Sequence, residues 1–172
     1  SYFSKNPKLY SNNFFYTGFS YGGHAALMLI NDLEFGDKRK WAGIVSLEPP
    51  CNIFHEPRNF ITPILVLKGG ESHYEPKPCK TMIDLYVSAG ADASLKIFPK
   101  SNHFFSHNGK IVKGVAFNGC GDNPVVIGIT NSLKFLDGSQ ANRKIVRKKC
   151  FTKTAGSGKS REDLKLAINT SI

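Results

Sequence analysis

The stretch "NNFFYTGFSYGGHAALMLI", residues 12–30, decides how the rest of the chain is read. A short β-like run from Asn13 to Thr17 closes on Gly18. From Gly23 an Ala- and Leu-rich pattern predicts a helix that stops near Gly36. Between them lies Gly18-Phe19-Ser20-Tyr21-Gly22, a Gly-x-Ser-x-Gly string. A strand, a sharp turn of this composition and a helix make a nucleophile elbow, whose strain lifts a serine hydroxyl clear of the sheet edge. On this reading side chains at Gly18 and Gly22 would collide with the crowded backbone, and Gly23 lets the helix pack closely on the strand. The N–H of Tyr21, at the helix N-terminus, is placed to stabilise an oxyanion.

Downstream, buried strands alternate with helical patterns. "GIVSLE" (43–48) and "ILVL" (64–67) are compact apolar runs of the kind buried on both faces, ended by Pro49-Pro50 and Gly69-Gly70. Residues 76–90 have helical spacing with Pro near the start and Gly at the end, and "SLKIF" (94–98) is a further strand before the loop "PKSNHFFSHNG". The alternation predicts an α/β fold with a mostly parallel sheet. Residues 1–172 read as one domain, with 108–172 a less regular extension that ends in a closing helix, "SREDLKLAI" (160–168).

Composition narrows the classes. Hydrophobic residues are 41% and charged residues 21%, ordinary for a globular chain. No apolar run approaches the roughly 20 residues that span a bilayer. The net charge of +10 is densest in "RKIVRKK", Arg143 to Lys149. That run has no interleaved aromatics for base stacking, so it reads as a solvated basic surface and no specific nucleic-acid partner is expected. Cys51, Cys79, Cys120 and Cys150 contain no CxxC spacing. Their even number suits two disulfides of undetermined connectivity in an oxidising compartment, with free buried thiols the alternative.

A serine is a poor nucleophile near neutral pH unless a base takes its proton and a carboxylate orients that base. In α/β-hydrolases these follow in the order Ser, acid, His. His103 lies in the loop after "SLKIF", and Glu71 follows "ILVL" in "KGGESHYEP", with Glu75 the other carboxylate there.

The segments "FFYTGFSYGG", "ITPILVLKGGESHYEPKPC" and "SLKIFPKSNHFF", within residues 12–106, together resemble the dienelactone hydrolase family of α/β-hydrolases. The resemblance implies a cofactor-free hydrolase acting on small esters or lactones. By position Ser20 is its nucleophile, His103 its base and Glu71 its acid. Two departures bear on the chemistry. Well-known members carry cysteine at the elbow, so Ser20 favours ordinary ester hydrolysis. The family acid is usually Asp, and aligning from the strand side puts Ser72 there, whereas aligning back from Cys79 selects Glu71. The resemblance also implies a Cys51–Cys79 bridge, leaving Cys120 with Cys150, and hence a secreted or periplasmic protein.

Other features are set aside. Histidines 24, 55, 73 and 107 have no supporting ligand pattern, even with the His103/His107 spacing, so no metal is expected. "TAGSGKS" (154–160) has Lys153 where a phosphate loop needs its first glycine, and "NTS" (169–171) is a glycosylation sequon by pattern only. A second oxyanion donor should come from a loop N-terminal to the elbow. The chain is therefore expected to be the C-terminal portion of a hydrolase, with its N-terminal portion as partner and early sheet strands lacking. The competing class is a non-catalytic, disulfide-stapled binding module.

Overall fold

The computed structural model describes residues 14–31, 41–104, 112–116 and 118–156. In chain order the elements are β1 (Phe15–Phe19), α1 (Tyr21–Met28), β2 (Gly43–Leu47), β3 (Ile53–His55), β4 (Ile64–Gly69), α2 (Pro76–Ser88), β5 (Ala93–Phe98) and β6 (Val112–Ala116). A 3-10 turn (Asn118–Cys120), β7 (Val125–Ile127), β8 (Leu133–Phe135), α3 (Arg143–Cys150) and β9 (Thr152–Gly156) follow. The result is a mixed α/β fold.

Among the described residues its main sheet has four strands in the order β1-β2-β4-β5, every neighbouring pair parallel. Parallel strands need crossover connections; α1 lies in the one between β1 and β2 and α2 in the one between β4 and β5, both covering the sheet face, whereas β2 and β4 are joined through β3. Ala26 and Leu27 of α1, with Ile30 just beyond it, and Met82, Ile83 and Tyr86 of α2 meet Ile44, Ile64 and Val66 of the strands in one buried cluster. Burying each large aliphatic side chain contributes about 1.5–3 kcal/mol, so this layer is the main anchor of the sheet. The other face gathers Val45, Leu67 and Phe98. In β2 and β4 the two clusters take alternate residues, as the two-residue period of a strand requires.

The predicted elements are present with shifted ends. The first strand runs over Phe15–Phe19, the predicted start at Asn13 lying outside the described residues, and α1 starts at Tyr21, immediately after Ser20. The region after residue 108 is more regular than its turn-rich composition predicts. Strands β3, β7 and β8 form a small second sheet, parallel between β3 and β7 and antiparallel between β7 and β8, and β6 pairs antiparallel with β9. The basic run is a helix: Asn142 caps α3 by accepting the Ile145 N–H at 2.9 Å, and Val146 and Cys150 are buried. Arg147, Lys148 and Lys149 occupy its last turn, where the helix dipole favours cations. The closing helix read over residues 160–168 lies outside the described residues.

Two disulfides staple the fold, Cys51–Cys79 and Cys120–Cys150, with Cα–Cα separations of 4.8 and 4.6 Å. The first ties the chain just after β2 to α2; the second ties the 3-10 turn to the end of α3. Such pairs fit an oxidising compartment. Among the described residues, no helix is long and apolar enough to cross a membrane.

Candidate active site

The carboxyl ends of β1, β2, β4 and β5 converge on one cluster of polar side chains. Ser20 follows β1 with φ 58° and ψ −121°, a conformation that costs an L-residue strain. Two backbone bonds hold it there: its N–H donates to Leu47 O at 2.8 Å, and its carbonyl accepts from His24 N–H at 3.0 Å. A Cβ at Gly18 would overlap the carbonyl of Gly22, which explains the first glycine of the motif. Gly22 departs from the sequence reading, because a Cβ there would meet nothing within 4 Å. The crowded partner is Gly23, whose added Cβ would lie 2.8 Å from Leu47 O. Tyr21 opens α1 with its backbone N–H in the first turn, and its side chain is 53% exposed.

His103 follows β5 and is 2% exposed. Its loop is held against the end of β4, where Glu71 N–H donates to Ser101 O at 2.8 Å and Gly69 leaves no room for a side chain beside Ser101 O. His103 Nε2 stands 2.9 Å from Ser20 Oγ. With the serine hydroxyl donating to Nε2, the imidazole proton resides on Nδ1 and points to a carboxylate.

That carboxylate is Glu48. Its Oε2 lies 3.2 Å from His103 Nδ1, and its side chain is wholly buried. Glu71, the acid selected from sequence, is exposed, and so is Glu75. The carboxylate beside His103 Nδ1 thus comes from the end of the neighbouring strand β2, and not from Glu71 in the loop after β4. Glu48 reaches the histidine because its own backbone is turned to φ 52° just after Leu47, with its N–H donating to Leu67 O at 2.8 Å.

Glu48 is fully hydrogen-bonded. Gly69 N–H donates to Oε1, and Lys68 Nζ donates to Oε2 at 3.0 Å. Burial alone would push the carboxyl up, but the Lys68 charge and the bonds from His103, Ser72 and Gly69 hold it below the ordinary carboxylate range. Lys68 is also completely buried, and burial draws its ammonium down from the usual lysine value while Glu48 opposes that shift. Ser72 Oγ is 3.4 Å from both His103 Nδ1 and Lys68 Nζ, and accepts the Tyr74 N–H at 3.2 Å.

Aromatic rings close around the histidine. Ring centroids of Phe19, His73, Tyr74 and Phe104 lie 5.2, 4.3, 4.8 and 4.9 Å from that of His103. Burial first, then the neighbouring His103 and Lys68, lower His73 to about 4, so it is neutral at physiological pH. Burial and the adjoining Tyr21 hydroxyl raise the Tyr74 phenol, which also reaches the Ser20 side chain.

Sequence reasoning brought Ser20, Tyr21 and His103 to one place, raised Ser72 only as the residue at the family's acid position, and missed Glu48, Lys68 and Tyr74. A signal for the first two was present: the buried strands "GIVSLE" and "ILVLK" end in opposite charges one step beyond the paired residues Leu47 and Leu67. Among the described residues, no group of three or more His, Cys, Asp or Glu side chains could hold a metal ion. The arrangement as it stands can pass a proton from a hydroxyl to an imidazole held by an ionised carboxylate. Comparison with protein-family models, with curated proteins and with solved structures gave no match to this chain.

Proposed function

We propose that the chain carries a serine hydrolase site of dienelactone hydrolase type, on an α/β-hydrolase-like scaffold, that cleaves small carboxylic esters or lactones. The observation that carries this reading is the 2.9 Å contact between Ser20 Oγ and His103 Nε2 at a strained strand-to-helix turn. The buried Glu48 carboxylate behind Nδ1 supports it. Ser20 Oγ attacks the carbonyl carbon as its proton passes to His103 Nε2. The tetrahedral oxyanion is stabilised by the Tyr21 N–H at the start of α1. The C–O bond to the leaving alkoxide breaks and His103 returns the proton to that oxygen, leaving an acyl-serine. Water then attacks the acyl carbon, again giving its proton to His103. The carboxylic acid departs as Ser20 Oγ regains a proton. Glu48 stays ionised and holds the imidazole tautomer and the imidazolium throughout.

A fluorophosphonate tests the nucleophile, since attack by Ser20 Oγ on phosphorus expels fluoride and leaves a stable phosphonyl adduct. Intact mass should show one adduct on the native protein, mapped to Ser20 and missing from Ser20→Ala. An unmodified mass, with the chain folded, would sink this reading and favour a non-catalytic binding module.

A further inference from the structure

Lys68 has no place in a serine–histidine–carboxylate relay, yet it lies directly behind the carboxylate. Its Nζ and His103 Nδ1 approach the same oxygen, Glu48 Oε2, at 3.0 and 3.2 Å. It also reaches Pro49 O at 3.2 Å and Ser72 Oγ at 3.4 Å, and lies over the Tyr74 ring, 5.4 Å from its centroid. The three protons of an ammonium can be directed at once to Glu48 Oε2, Pro49 O and Ser72 Oγ. A lysine with no exposed surface is costly to keep charged, and a buried ion pair is weak evidence for stability, because apolar replacements often do as well. Its place beside the histidine's oxygen calls for another account.

We propose that Lys68 is a positioning residue that fixes the Glu48 carboxylate and offsets its charge, thereby setting the pH at which His103 can accept the Ser20 proton. The proposal rests on the serine-nucleophile reading. The physical reason is that an unopposed buried carboxylate would hold the imidazolium strongly and keep His103 from acting as a base until the solution was more alkaline. With the ammonium on the same oxygen, that pull is reduced while the orienting hydrogen bond is kept. The groups facing His103 can be enumerated for the described residues. Ser20 and Phe19 come from the β1–α1 turn, Glu48 from the end of β2, Lys68 and Ser72 from β4 and its loop, and His73, Tyr74 and Phe104 complete the wall. Near neutral pH His73 and Tyr74 are uncharged, so Glu48 and Lys68 carry the opposing charges of this surround.

The test is the rate of fluorophosphonate adduct formation on the native chain and on Lys68→Met, followed from pH 5 to 9. The midpoint of the rise should move to higher pH by about one unit or more in the variant. An unchanged midpoint in a folded variant would overturn the proposal. If circular dichroism shows that Lys68→Met does not fold, the native protein decides through its 15N-lysine spectrum. One ammonium resonance, shielded from solvent exchange, should step across the pH interval in which Ser20 becomes reactive. A spectrum in which no lysine follows that interval would overturn the proposal as well. Native protein that takes no adduct at any pH would instead remove the nucleophile reading, and this proposal with it.

Discussion

Ser20 and Glu48 leave the carboxyl ends of adjacent parallel strands in the same unusual way, each with a positive φ, 58° and 52°. Each continues the sheet ladder by one further N–H, Ser20 to Leu47 O and Glu48 to Leu67 O, both at 2.8 Å. A left-handed turn at a non-glycine residue persists only where its surroundings over-determine it. Here two such turns aim a hydroxyl and a carboxylate at opposite nitrogens of one imidazole.

Glu48 and Glu71 should therefore separate cleanly. Replacing Glu48 with Gln removes the charge that orients and stabilises His103, and should slow Ser20 phosphonylation by about 10²- to 10⁴-fold. Glu71→Gln, at an exposed side chain, should change the rate less than about threefold, since surface substitutions away from a special feature act weakly. Labelling kinetics on both variants check this, and equal rates for Glu48→Gln and the native chain would return the acid to the loop after β4.

The fold was legible because its signals are local. A four-residue apolar run such as "ILVL" has few options other than a buried strand, and the Gly18 motif marks a turn that only a small residue permits. The site was half legible for the same reason. Ser20 announces itself by its neighbours and His103 by its loop after a strand. Glu48 announces itself only through an inter-strand register that sequence order does not display. The basic helix α3 escaped because the cations that cover its exposed face masked the apolar positions Val146 and Cys150.

His73 makes stability depend on pH. Its pKa is lowered in the fold, mainly by burial, from an ordinary 6.5 to about 4. The unfolded chain thus binds the extra proton first, so this contribution is fully present above about pH 6.5 and is lost as pH falls through 6.5 toward 4. His73 is only half-buried, so solvent screening keeps the contribution modest. Urea midpoints at pH 7.5 and 4.5 should differ more for the native chain than for His73→Phe. An identical pH difference in both would remove His73 as a source.

The two disulfides should differ in function while resembling each other in stability. They close stretches with sequence separations of 28 and 30 residues. Loop-closure entropy then gives each about 3–4 kcal/mol. Cys51–Cys79 adjoins the charged pair directly, since Cys51 follows Glu48-Pro49-Pro50 and Pro49 O accepts from Lys68 Nζ, whereas Cys120 meets the site's outer wall through Asn118, whose Nδ2 donates to His73 O at 2.6 Å. A Cys51→Ala/Cys79→Ala variant should lose Ser20 reactivity by about tenfold at temperatures where it remains folded. Cys120→Ala/Cys150→Ala should lower thermal stability with labelling rate preserved. Measuring both quantities on both variants separates the two roles.

The loop after β4 retains room for an acid of its own. Ser72 Oγ is 3.4 Å from His103 Nδ1 and 3.4 Å from Lys68 Nζ, so the site's histidine and its counter-charge are both in reach of position 72. An aspartate there extends one atom further than serine and would accept from both donors. In a Glu48→Gln background it should recover at least about tenfold of the lost labelling rate, because a short charge-assisted bond to Nδ1 is what the histidine requires. The amide oxygen introduced by Glu48→Gln can still accept from Gly69 N–H, so the backbone end of the network stays satisfied. Comparing Glu48→Gln with Glu48→Gln/Ser72→Asp isolates the charge at the histidine from the shape of the pocket. Recovery would mean that two strand ends are competent to supply the carboxylate. A double variant no faster than Glu48→Gln would mean that the left-handed turn at Glu48, and not charge alone, sets the productive direction of approach.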